Sequence, residues 1–175
     1  MNAALRPPEP PGLSHTVESR VSIRKHPVHP MLVVFPIAFL AVVAAGDLLF
    51  LWSGLPFWAQ MGAVLNVSGL AIGVVAAAVG LVDLLLIPVV RRHVSAWSHA
   101  MAALMLLAVA AGNAWLRWPD PVAAVWPWGL LLSSLMVLLV GVAGWLGGGL
   151  SFHHGIGVAA DAGGDDDGPD APPQE

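Results

Sequence analysis

Few residues in this chain can do chemistry. They are seven histidines, two carboxylates set within apolar sequence (Asp47 and Asp83), and the amides Asn66 and Asn113. Imidazole and carboxylate together suit zinc, iron or copper(II) as nitrogen and oxygen ligands. Two imidazoles from facing helices suit haem b. The chain has no cysteine, which excludes disulfides, thiolate metal sites and Cys-linked haem. It shows no Ser–His–Asp set, no glycine-rich phosphate loop and no nucleotide motif. A stand-alone enzyme and a nucleic-acid partner are therefore not expected.

These residues must be positioned by four long apolar runs, at about 31–51, 62–90, 95–116 and 126–150. Each exceeds the roughly 20 residues that cross a bilayer as helix. The chain is 57% hydrophobic and 10% charged, with a mean hydropathy of +0.77. The expected fold is all-α: a four-span transmembrane bundle running up-down-up-down over 23–158. A polar, proline-rich tail (1–22) and an acidic tail (159–175) should be disordered. Residues 1–22 lack an early apolar core, so no signal peptide is expected.

Basic residues set the orientation. Arg20, Arg24, Lys25, Arg91 and Arg92 lie on one side of the spans, and Arg117 alone lies on the other. The positive-inside rule makes the first side cytoplasmic, with both termini there. Trp52, Trp58, Trp115, Trp118, Trp126 and Trp128 gather at the outer end, as an interfacial aromatic belt would. The net charge of −4 comes from the C-terminal tail, which holds Asp161, Asp165, Asp166, Asp167, Asp170 and Glu175.

The second run carries a seam of small and polar residues: Gly62, Asn66, Gly69, Gly73, Ala76, Gly80 and Asp83. Spacings of three and four put them on one helix face, where small residues let helices approach closely. Registering antiparallel neighbours by depth gives two polar layers. The inner layer holds His29, Asp83 and His99, with His26, His93, His153 and His154 in adjoining segments. The outer layer holds Asp47, Asn66 and Asn113, with Ser133 and Ser134 of the fourth span at similar depth. Ionisable groups at such positions are costly and usually face the bundle interior. Asp83 is expected to contact His29 or His99, directly or through water. A structural reading stands beside the chemical one: interfacial histidines bond carbonyls, and the outer-layer groups bond across helices. Pro36 and Pro88 fall within the first two runs, where each removes a backbone hydrogen bond and can kink its helix.

The opening HPVHPMLVVFPI (26–37) and the closing GWLGGGLSFHHGIGV (144–158) resemble a bacterial family of small membrane proteins, domain of unknown function 2231. GLVD (80–83) and the SHAMA segment around His99 extend the likeness, which covers about 25–158. The resemblance implies the four-span fold and an inner-membrane location, but no activity. Some members are joined to Rieske-type iron–sulfur domains, which implies redox work. This chain departs from the family pattern at Val34 (often His), Ala103 (often Asn) and Gly149 (often Glu), which thins the inner polar layer.

Three functions follow for comparison. The first is a haem-b redox or electron-transfer subunit, with His29 and His99 as ligands and Asp83 orienting one imidazole. The second is divalent metal binding or transport, drawing on His26, His29, Asp83, His99, His153 and His154. The third is a scaffold or partner subunit for another membrane or redox protein within the lipid bilayer.

Overall fold

The computed structural model describes residues 19–24 and 26–154. Lys25, most of the expected 1–22 tail and all of the expected 159–175 tail lie outside the described residues, as do residues 155–158 and the side chains of His153 and His154. Four helices are long and apolar enough to cross a membrane. They are α1 (Val28–Ser53), α2 (Pro56–Leu86), α4 (Val94–Arg117) and α5 (Leu130–His154); α3 (Pro88–Arg92) is a short link. A two-stranded hairpin precedes α1, with β1 (Ser22–Ile23) antiparallel to β2 (His26–Pro27).

Local chemistry sets the boundaries. α1 ends at Gly54, whose φ of 70° is left-handed and whose N–H donates to the Phe50 carbonyl at 2.7 Å. Glycine takes that conformation without steric cost. Pro56 then opens α2 at its first helical position, where the missing N–H costs nothing. The apolar run expected to span 62–90 is in fact broken. α2 stops at Leu86, Ile87 is extended, and Pro88 starts α3. Proline forces the preceding residue out of the helical region. Pro36, by contrast, stays inside α1. The fourth run begins later than its composition predicts. Trp126 is non-helical (φ −111°, ψ 133°), the Trp126–Pro127 bond is cis, and the regular helix starts at Leu130.

The spans form a square. α1 packs on α2 and α5, α4 packs on the same two, and α1 therefore lies diagonally across from α4. Leu40, Val43, Leu106, Ala110, Met136 and Leu139 fill the middle. The expected seam is present on α2: Gly62, Asn66, Gly69, Gly73 and Ala76 are buried. A Cβ at Gly69 would stand 2.8 Å from Leu40 Cδ2, and one at Gly73 would stand 2.7 Å from Leu107 Cδ2. The glycines thus bring α2 against α1 and α4. Trp52, Trp115, Trp118, Trp126 and Trp128 are exposed at one end, while Trp58 is half-buried against Phe57.

Candidate functional site

The two polar layers occupy opposite ends of the bundle. At the histidine end, His29 of α1 and His99 of α4 face one another. Their ring centroids are 6.3 Å apart and their planes cross at 83°. Each ring is held from behind by a neighbouring helix. His29 Nδ1 is 2.7 Å from the Ala76 carbonyl oxygen, and His99 Nδ1 is 3.0 Å from that of Ala143. A carbonyl can only accept, so each Nδ1 carries the proton and donates it. With Nδ1 so committed, the lone pair of a neutral ring lies on Nε2, which makes no hydrogen bond among the described residues.

Glycine makes these seats possible. A Cβ at Gly80 would lie 2.9 Å from His29 Cε1 and Nδ1, and one at Gly147 would lie 2.9 Å from His99 Cε1. The seats are built to one pattern. In each helical hairpin the glycine follows the accepting alanine by four residues. The pattern continues to the far end. Asp47 stands eighteen residues after His29, and Arg117 eighteen after His99. Asn66 and Ser133 each precede their accepting alanine by ten. The hairpins α1–α2 and α4–α5 are therefore related as parallel repeats about an axis along the bundle.

Asp83 bonds to other partners directly. Its carboxylate accepts Ser19 Oγ at 2.5 Å and the Arg20 backbone N–H at 2.8 Å. Among the described residues it makes no hydrogen bond or ion pair with either histidine. Each of its two oxygens thus accepts one hydrogen bond from the segment before the hairpin. His26 is also elsewhere: it is exposed, with Nδ1 2.9 Å from the Arg24 carbonyl. Among the described residues, no group of three or more His, Asp or Glu is arranged to hold a metal ion.

The opposite, aspartate end is the more deeply buried layer. Asp47, Asn66, Asn113 and Ser133 are fully buried, and Arg117 is 2% exposed. Asp47 Oδ2 accepts both Arg117 Nη2 and Ser133 Oγ at 2.6 Å. Arg117 Nε donates to Asn113 Oδ1 at 2.9 Å, and Asn66 Nδ2 donates to the Ala110 carbonyl at 3.0 Å. Four helices meet through these bonds. Ser134, placed in the same layer by sequence, is exposed instead.

Arg117 is the residue that sequence reasoning misplaced. It sits at the end of an apolar run beside Trp118 and reads as a loop cation. The signal was there, because Arg117 follows Asn113 by four and so continues the buried face of α4.

No curated protein and no solved structure matches the chain. The family model described as a predicted membrane protein, DUF2231, matches residues 25–160, from the hairpin to just beyond the end of α5. That stretch holds both polar layers and all four spans, and the chain belongs to this family of predicted membrane proteins.

Proposed function

We propose that this membrane protein is a haem-b electron-transfer subunit, in which His29 and His99 would hold the iron. The facing pair of imidazoles carries the reading. They come from diagonal helices, their Nδ1 protons are committed to backbone carbonyls, and Nε2 is left for a metal. Hydrogen bonding of this kind fixes tautomer and ring orientation and raises ligand basicity. With metal–nitrogen bonds of about 2 Å, rings whose centroids are 6.3 Å apart are close enough for both to reach one metal.

Among the described residues, the count of ligands favours haem over a bare divalent ion. A zinc-type site takes three or four protein ligands, and the described residues group no three His, Asp or Glu. Haem needs two, because its ring supplies the other four nitrogens. When bound, the iron would supply one-electron transfer. The chain's own part is orientation. The carbonyls of Ala76 and Ala143 aim the rings, and Gly80 and Gly147 leave them room. Asp83 contributes through the Ser19–Arg20 strap rather than as an orienting base, and an electron-exchange partner in the same membrane would be required.

The test is the absorption spectrum of the purified chain, expressed with haem available, before and after dithionite. Sharp reduced haem bands are expected. They should vanish in His29→Ala and in His99→Ala and persist in His26→Ala. A folded protein without those bands overturns the reading, and bound metal without them selects a divalent ion instead.

A further inference from the structure

We propose that the aspartate end encloses an internal water site, bounded by Asp47, Asn66, Asn113 and Arg117 and opening onto Gly62. Each of these four side chains is at least nine-tenths buried and keeps one polar atom without a partner among the described residues. The atoms are Asp47 Oδ1, Asn66 Oδ1, Asn113 Nδ2 and Arg117 Nη1. An unsatisfied buried polar atom is destabilising, and more so when charged. Native interiors do not leave four together; ordered water is the usual remedy.

The complement of atoms says which ligand. Two are acceptors (the Asp47 and Asn66 oxygens) and two are donors (the Asn113 and Arg117 nitrogens). Water donates two hydrogen bonds and accepts two. Asp47 and Arg117 neutralise one another across 2.6 Å, so the cluster carries no net charge to attract a free anion or cation. Its burial admits only a small molecule.

Gly62 locates the space. A Cβ built there would lie 3.5 Å from Arg117 Nη1, 3.7 Å from Asp47 Oδ1 and 3.8 Å from Val43 Cγ1. These are ordinary contact distances, so only the glycine's own hydrogens stand between its Cα and the ion pair. The two unpartnered atoms of the ion pair both border this face of Gly62. A water beside it, clear of the Cα, bridges the free arm of the guanidinium to the free oxygen of the carboxylate.

This geometry makes the sign of a mild substitution informative. An alanine methyl at Gly62 fits without clash and brings a higher helix propensity than glycine. In a dry cluster Gly62→Ala is neutral or stabilising. In a hydrated one it displaces the bridge and leaves two charged atoms unsolvated. The full-length chain in detergent should therefore melt lower as Gly62→Ala. Gly62→Ser, which returns a hydroxyl to the same place, should melt between Ala and wild type. Water-edited NMR should also give cross-peaks from bound water to the Asn113 side-chain amide in the wild type. An alanine variant as stable as wild type overturns the proposal. So does an Asn113 amide without contact to water. A melting temperature that rises specifically with chloride would identify an anion site instead, and would equally overturn it.

Discussion

Asp47 and Arg117 form an ion pair at 2.6 Å that is closed to solvent, joining α1 to the last residue of α4. Arg117 reaches inward from the helix end, opposite to the outward snorkelling usual for a terminal cation. Three features make the inward pose stable. Asn113 Oδ1 accepts a hydrogen bond from its Nε–H, Ser133 Oγ donates to the same carboxylate, and Gly129 leaves space beside the guanidinium. Burial of two charges is offset only when geometry is good and the remaining polar atoms are bonded.

Removing one partner should therefore cost far more than removing both. Asp47→Asn and Arg117→Ala are each expected to destabilise by about 3–5 kcal/mol, because each strands a buried charge. The double variant Asp47→Asn, Arg117→Ala should lose much less than the sum. Thermal melts in detergent, arranged as a double-mutant cycle, measure the coupling. Additive losses would mean that the pair contributes nothing as a pair.

Much of this architecture was legible in the sequence, for a physical reason. A span must satisfy its own backbone and present apolar side chains to lipid, so length and hydropathy disclose it directly. The α2 seam was equally legible, because helical periodicity puts Gly62 through Ala76 on one face. Depth registration also brought Asp47, Asn66 and Asn113 into one layer. What it could not give was direction. Asp83 and Arg117 lie at helix ends, where one turn decides between bundle and solvent. Their partners are a strand-side segment and a carboxylate on a diagonal helix, and neither contact has a periodic signature. The carbonyl seats of His29 and His99 were hidden as well, since an accepting alanine looks like any other.

Glycines on the helices should separate cleanly by what surrounds them. A Cβ at Gly129 would lie 2.5 Å from the Ala124 carbonyl oxygen, a backbone atom that cannot swing aside. Gly129→Ala should lower the melting temperature sharply. A Cβ at Gly112 or Gly141 meets nothing within 4 Å. Alanine there should be neutral or gain up to about 1 kcal/mol from helix propensity. Gly73→Leu should fall with the first group, since even its Cβ would crowd Leu107 and Pro36. Equal melting temperatures across the set would refute the packing.

The buried ion pair sharpens the expected orientation. Arg117 was the one basic residue counted on the Trp-rich side, and in the folded chain Asp47 neutralises it. Arg20, Arg24, Arg91 and Arg92 remain exposed beside the histidine end. That end is predicted to face the cytoplasm. Reporter fusions after Glu175 and within the 55–60 link should report opposite compartments, with Glu175 cytoplasmic. A cytoplasmic 55–60 link would invert the topology.

Asp83 should act as a latch on the segment that leads into α1. Its two carboxylate oxygens receive Ser19 Oγ and the Arg20 N–H, and Val28 N–H donates to the Val21 carbonyl just behind them. Little else pins residues 19–24, whose side chains are largely exposed. Asp83→Ala removes both acceptors at once. Amide exchange across Val21–Arg24 is expected to accelerate, and trypsin should cut after Arg20 or Arg24 sooner than in wild type. Asp83→Asn keeps one amide oxygen to accept and should give an intermediate rate. The bundle itself should hold, because Leu84, Ile87, Val90, Ala96 and Leu150 pack together around this position without the carboxylate. A melting temperature near wild type with a released segment is thus the expected pair of results. Unchanged exchange in Asp83→Ala would mean that the strand pairing holds the segment on its own.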